Sequence, residues 1–101
     1  MTTGDIAIEV LDELASATAE NGPFHSAHEG YGVLLEEVEE LWAEIKKKPK
    51  LREVQKMRTE AIQVAAMAIR FVRDICDQDN YGWEAPDVEN DAEGPEEEGS
   101  L

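Results

Sequence analysis

The chain has 101 residues, which favours a single domain, and 42% of them are hydrophobic, enough for a small core. Its formal net charge is −15, and all nine lysines and arginines lie between Lys46 and Arg73. Such an acidic balance argues against direct DNA binding. The single cysteine, Cys76, excludes an internal disulfide and a cysteine-rich zinc site. No stretch resembles a signal peptide or a membrane span, so we expect a cytoplasmic protein without a membrane partner.

The first predicted element is a helix over about residues 5–20. Its apolar residues recur at three- and four-residue steps: Ile6, Val10, Leu14 and Ala17. This spacing places them on one helix face. The sequence NGP at positions 21–23 ends the helix, because glycine and proline interrupt the pattern.

A second helix is predicted over about residues 27–47. Ser26 and Glu29 have the spacing of a capping box at its start, and Pro49 limits its end. Its apolar residues share a sector ~120° wide on a helical projection: Leu34, Leu35, Val38, Leu41, Trp42 and Ile45. We interpret this sector as the face that packs in the core.

Glutamates crowd the same helix, and no basic residue precedes Lys46. Glu37, Glu40 and Glu44 form a stripe that adjoins the apolar sector. Carboxylates three or four residues apart on a helix repel one another. Either this stripe is a solvated face or a cation binds to it.

The third helix is predicted over about residues 51–79, and residues 61–76 are apolar almost all round. A helix of this composition is buried on most sides, yet three helices of one short chain can hardly surround it. We therefore expect a homo-oligomer, a dimer or a tetramer, with this helix at the interface.

The predicted fold is all-α: a bundle of three main helices per chain, completed by oligomerisation. From residue 82 the composition shifts to Asp, Glu, Gly, Pro and Ser, which buries too little apolar surface to form a core. We expect a helical domain over residues 1–81 and a disordered acidic tail over residues 82–101.

Two pairs of oxygen-bearing side chains lie three residues apart on the second and third helices. They are Glu37 with Glu40, and Glu60 with Gln63. Each pair shares a helix face, so antiparallel packing of the two helices brings all four together. Convergent carboxylates repel without a cation, and Mg²⁺ prefers hard oxygen ligands that substrate phosphates often complete. The sequence therefore predicts a magnesium site.

The motifs EEVEEL and EAIQ, with nineteen residues between Glu40 and Glu60, resemble those of the MazG-like nucleoside triphosphate pyrophosphohydrolases. That all-α family carries E-E-x-x-E and then E-x-x-D on two helices of a bundle. The longer stretch GPFHSAHEGYGVLLEEVEELWAEI is similar to the small MazG-like proteins of phages and actinobacteria. The resemblance covers about residues 5–79.

This resemblance implies magnesium-dependent hydrolysis of a (d)NTP to a monophosphate and pyrophosphate, in the cytoplasm of a bacterium or of a phage-infected host. Water would attack the α-phosphorus, and Glu36 or Glu37 would take its proton. Among the basic residues, Lys46, Lys47 and Arg70 are the candidates for contacting phosphate oxygens.

The metal ligands of the family correspond to Glu37, Glu40 and Glu60. Gln63 stands where the family pattern has aspartate, so the fourth ligand is neutral. This departure leaves two alternatives open: a catalytically weak or inactive nucleotide-binding or interaction protein, and a purely structural helical oligomer whose tail contacts a partner.

Overall fold

A computed structural model describes residues 1–77, which form three α-helices: α1, Thr3–Asn21; α2, Ala27–Ile45; and α3, Val54–Phe71. A single 3₁₀ turn, Pro49–Leu51, lies between α2 and α3, and one π-helical turn, Val72–Cys76, extends α3. No strand occurs in this part of the chain, which confirms the all-α class. The predicted tail, residues 82–101, lies outside the described residues.

The ends of α1 follow from local hydrogen bonding. At its start, Thr2 Oγ1 accepts from Asp5 N at 3.1 Å and Asp5 Oδ2 accepts from Thr2 N at 2.9 Å, a reciprocal capping box. At its end, Gly22 has a φ of 70°, a conformation that glycine adopts without steric cost. The predicted break at residues 21–23 is confirmed.

The start of α2 matches the prediction, but its cap differs in one bond. Ser26 Oγ accepts from Glu29 N at 3.0 Å, whereas the Glu29 carboxylate accepts from His25 N at 2.5 Å and not from Ser26 N. Helix α2 ends two residues before its predicted end near residue 47, and α3 begins three residues after its predicted start near residue 51. The 3₁₀ turn at Pro49 separates α2 from α3, because proline cannot continue the hydrogen bonding of a helix.

Helix α3 lies between the other two helices, which make few contacts with each other. Gly30 of α2 lies against Phe71, near the end of α3, and Arg52, just before α3, donates to Ile45 O at the end of α2. This pairing shows that α2 runs antiparallel to α3, as the predicted convergence of the glutamates requires.

Helix α1 runs parallel to α3. Near its start, Glu9 forms an ion pair with Arg58, and near its end Thr18 accepts a hydrogen bond from Arg73 at 3.1 Å. The buried core forms between these elements from Val10, Leu14, Phe24, Ala66, Met67 and Ile75. None of the helices in residues 1–77 is long and apolar enough to cross a membrane.

The apolar sector predicted for the core side of α2 is only partly buried. Leu34 packs against the core, whereas Leu35 and Val38 are exposed and Trp42 is 56% exposed. The prediction was wrong for these three side chains within one chain, because α2 turns Gly30 and Leu34 toward α3. Leu35, Val38 and Trp42 lie ~100°, ~40° and ~80° round the helix from Leu34, all on the same side, and point away from α3.

The expectation that α3 is buried on most sides was also only partly correct. Ala66 is 0% exposed and Met67 is buried, but Ile69 and Val72 are 41% and 49% exposed. Cys76 is exposed as well. Within residues 1–77, α1 and α2 pack on α3 but leave Ile69 and Val72 exposed.

Substitution of Gly30 tests the close packing of α2 on α3. A Cβ at Gly30 would lie 2.7 Å from Phe71 Cδ2, whereas a Cβ at Gly32 meets nothing within 4 Å. We expect Gly30→Ala to destabilise the fold by about 1–3 kcal/mol through overpacking. The control Gly32→Ala should stabilise it by up to about 1 kcal/mol through helix propensity. Urea unfolding measures both, and equal gains in stability would contradict this packing.

Candidate metal centre

Three glutamates from two helices converge on one point. Glu37 and Glu40 of α2 and Glu60 of α3 each place a carboxylate oxygen within 4.8 Å of the other two. Glu37 and Glu60 are half-buried and Glu40 is exposed. The i,i+3 spacing on α2 and the antiparallel packing on α3 bring them together, as the sequence predicted.

Gln63, the fourth predicted ligand, lies directly between the two half-buried carboxylates. With its amide nitrogen turned toward them, it donates to Glu37 Oε1 at 3.0 Å and to Glu60 Oε1 at 3.1 Å. With its amide oxygen turned toward them, a fourth oxygen faces the cluster, which is favourable only if a cation is bound. One rotation of the amide therefore exchanges a hydrogen-bond donor for a metal ligand.

The cluster carries uncompensated negative charge. Burial raises the pKa of Glu37 to about 7, together with the charge of Glu40, a hydrogen bond with it, and the charges of Glu60 and Glu13. Burial also raises the pKa of Glu60, followed by the charge of Glu40 and a hydrogen bond with it. Both shifts have the direction expected when carboxylates crowd together without a cation.

The donor set suits a hard divalent cation. Three carboxylates and one amide oxygen can face a single point, and Mg²⁺ binds such oxygens while it keeps several waters or substrate oxygens. Glu40 is exposed, so the cluster is accessible from its side. The residues present therefore fit magnesium.

Three other predicted site residues, Glu36, Lys46 and Lys47, lie on α2 or just after it. Glu36 is exposed and is not one of the three convergent glutamates. Lys46 is exposed at the end of α2. Lys47 forms an ion pair of 2.8 Å with Glu44, whose charge contributes to the raised pKa of Glu60. No described contact connects Glu36, Lys46 or Lys47 directly with the cluster.

Arg70 shares a cavity of about 350 Å³ with the cluster. Side chains of all three helices line this cavity, and Glu37, Gln63 and Arg70 are among them. The guanidinium of Arg70 donates to Gly22 O and lies 4.1 Å from the centre of the Phe24 ring. Arg70 therefore secures the loop between α1 and α2 at one end of the cavity.

A buried carboxylate holds this end of the cavity in place. Asp74 accepts from Phe24 N at 3.0 Å and from Arg73 Nε at 2.7 Å. Burial alone would raise the pKa of Asp74, but these two hydrogen bonds and the charges of Arg73 and Arg70 outweigh it and lower the pKa. Arg70 Nε lies 3.8 Å from Asp74 Oδ2, too far for a hydrogen bond.

Sequence reasoning missed the contribution of α1. Glu13 contributes to the raised pKa of Glu37 and lines the same cavity. Its position beside the buried Leu14 could have indicated a contact with a neighbouring helix, because a residue next to the core stripe lies at the border of the packed face. The helix pattern alone does not indicate which neighbour that border faces.

Comparisons of the chain with protein families, curated proteins and solved structures found no match.

The pKa of Glu37 predicts a pH dependence of folding stability in the presence of a chelator. Between its ordinary value of 4.5 and about 7, native Glu37 holds a proton that the unfolded chain has lost. The free energy of unfolding should therefore decrease as the pH rises through this range. Urea unfolding below, within and above the range measures the slope.

Matched variants separate this contribution from the general acidity of the chain. Glu37→Gln should reduce the slope, whereas Glu39→Gln, on an exposed position of the same helix, should retain it. Coincident slopes for Glu37→Gln and the wild type would show that Glu37 does not titrate in this way.

Proposed function

We propose that this protein is a magnesium-dependent, MazG-like nucleoside triphosphate pyrophosphohydrolase that converts a (d)NTP to a (d)NMP and pyrophosphate. The observation that carries the proposal is the convergence of Glu37, Glu40, Glu60 and Gln63 from two antiparallel helices. The adjoining cavity of about 350 Å³ has the size range of small-molecule sites.

The proposed roles follow from position and charge. Glu37, Glu40 and Glu60, with the amide oxygen of Gln63, would hold Mg²⁺. The ion, when bound, neutralises charge on the phosphates and activates water. Glu37 is the better placed proton acceptor, because it lies in the cluster, whereas no described contact connects Glu36 with it.

Phosphate contacts are proposed for basic residues at the end of α2 and on α3. Lys47 forms an ion pair with Glu44, one turn beyond Glu40 on α2, and Arg70 lines the cavity beside Glu37 and Gln63. Lys46 remains a candidate only through its place next to Lys47. The cytoplasm of a bacterium or of a phage-infected host is the compartment that this activity implies, since both Mg²⁺ and nucleotides are present there.

A second candidate function is nucleotide binding without hydrolysis. Gln63 supports it, because its amide can donate to Glu37 and Glu60 and so relieve part of their repulsion without any metal. A neutral fourth ligand also attracts Mg²⁺ less strongly than an aspartate would. The two candidate functions use the same site but differ in whether pyrophosphate is released.

We also propose that the working form is a dimer or a tetramer. The exposed apolar residues Leu35, Val38 and Trp42 on α2 and Ile69 and Val72 on α3 would be covered by a second chain. Light scattering at micromolar concentration should therefore give a multiple of the 11.2 kDa chain mass. A mass equal to that of one chain would contradict the proposed oligomer.

A panel of (d)NTPs tests the activity. With Mg²⁺, the wild type should release pyrophosphate and a monophosphate, and a chelator should abolish release. Mg²⁺-dependent nucleotide binding without pyrophosphate release from any member of the panel would favour the second candidate function. If the protein neither bound nor hydrolysed any nucleotide of the panel, the proposed nucleotide site would be contradicted.

Substitution of one ligand tests the metal set. Glu40→Gln should weaken Mg²⁺ binding on the order of tenfold, because it removes an ionic attraction of about 1 kcal/mol or more. Without metal it should stabilise the fold by up to about 0.5 kcal/mol through reduced repulsion. Thermal melts with and without Mg²⁺ measure both effects. Glu39→Gln is the control, and identical behaviour of the two variants would indicate a solvated face.

Restoration of the family aspartate gives the complementary test. Gln63→Asp should tighten Mg²⁺ binding on the order of tenfold, since it adds a fourth negative charge. It should also destabilise the metal-free fold, because the two hydrogen bonds of the amide are replaced by repulsion. Calorimetric titration with Mg²⁺ measures the affinity, and weaker binding than in the wild type would exclude Gln63 as a ligand position.

A further inference from the structure

The turn between α2 and α3 carries exposed positive charge, and we call it the basic tip: Lys46, Lys48, Lys50 and Arg52. The acids that flank it already have partners. Glu44 pairs with Lys47 at 2.8 Å, and Glu53 pairs with Lys56 at 3.8 Å. Within residues 1–77, the three lysines of the tip form no ion pair. The tip therefore presents positive charge that the described part of the chain does not neutralise.

The basic tip also has an apolar flank and a fixed shape. Leu51 and Val54 are each more than half exposed beside the lysines. Leu51 N donates to Lys48 O at 2.7 Å. Arg52 Nε donates to Ile45 O at 2.7 Å, which holds the turn against the end of α2. A surface that is already ordered loses little conformational entropy when it binds a partner.

The outer face of α1 has the complementary character, and we call it the acidic strip: Ile8, Leu11 and Asp12. Ile8 and Leu11 are each more than half exposed. Asp12 is exposed on the same face, since it follows Ile8 by four residues. It also lines a hollow of about 310 Å³ between α1 and α3, with Glu13 and Ser16. Within residues 1–77, neither Asp12 nor Glu13 forms an ion pair, so the strip offers negative charge to a cation from outside.

The two surfaces lie at the same end of the bundle. Val54 begins α3, and Arg58, one turn later, pairs with Glu9 of α1, next to Ile8. Within one chain the surfaces do not cover each other, because their apolar side chains stay exposed. A two-fold axis between two chains would place each tip on the strip of the other chain, and an exchange of this kind closes on itself.

We infer that the basic tip of one chain docks on the acidic strip of a second copy. Two such acidic chains repel each other overall, but opposite charges attract where these surfaces meet. Exposed ion pairs alone contribute little, so burial of the four apolar side chains supplies the rest. The contact does not depend on the proposed activity. Together with the interface proposed for the exposed apolar residues of α2 and α3, on which this step rests, it makes the assembly a tetramer.

Light scattering of the full chain across a salt series tests the contact. The Debye length falls from ~30 Å at ~0.01 M salt to ~3 Å at ~1 M, so the mass should fall by half over this range. The mass at high salt tests the interface proposed for α2 and α3 separately: it equals two chains if that interface forms and one chain if it does not. A mass that does not depend on salt would overturn the docking of tip on strip.

Exchange of the charges identifies the two surfaces. Lys48→Glu with Lys50→Glu should halve the mass at low salt, and so should Asp12→Lys with Ser16→Lys. General repulsion would separate these two variants, because the first makes the net charge of the chain more negative and the second makes it less negative. All four substitutions in one chain should restore the wild-type mass, because tip and strip then attract with reversed signs. A wild-type mass for either double variant, or no recovery in the combined chain, would rule out this interface.

Discussion

Glu37, Glu40 and Glu60 lie close together because α2 packs antiparallel on α3, and their mutual repulsion is the constraint on which the site depends. Packing of Gly30 against Phe71 sets how closely the two helices approach. Burial, followed by the charges of neighbouring carboxylates, raises the pKa of both Glu37 and Glu60. A fold that holds like charges together at a cost in stability is typical of a site that binds an opposite charge.

Gln63 determines how the chain tolerates this repulsion. As a donor, its amide bridges Glu37 and Glu60 and lowers the cost of the empty cluster. As an acceptor, the same amide would complete an oxygen set for a cation. An aspartate at this position would bind the cation more strongly but would leave the metal-free fold less stable. If the proposed site binds a cation, glutamine at this position balances folding stability against metal affinity.

Much of this arrangement was predictable from the sequence, because it depends on helix periodicity. The three helices, the break after α1 and the convergence of Glu37, Glu40 and Glu60 all follow from residue spacing. The burial of individual side chains did not follow. Trp42 belongs to the apolar sector of α2 yet is exposed, because rotation of α2 by one residue position decides which part of a wide sector meets α3.

Contacts between distant parts of the chain were the least predictable. Glu13 of α1 faces the cluster, and Arg70 joins the loop after α1 to the cavity. Nothing in the spacing within one helix indicates which side chain of another helix lies opposite. The resemblance to the MazG-like family pointed to the convergent residues on α2 and α3, but the motif contains no residue of α1.

The central claim is that Glu37, Glu40, Glu60 and Gln63 converge on one divalent cation. A crystal grown with Mn²⁺, which can replace Mg²⁺ and scatters anomalously, tests it most directly. The account predicts an anomalous peak between the three carboxylates, with the Gln63 amide oxygen turned toward the ion. An anomalous map without a peak there, with the Gln63 nitrogen still donating to Glu37 and Glu60, would contradict it.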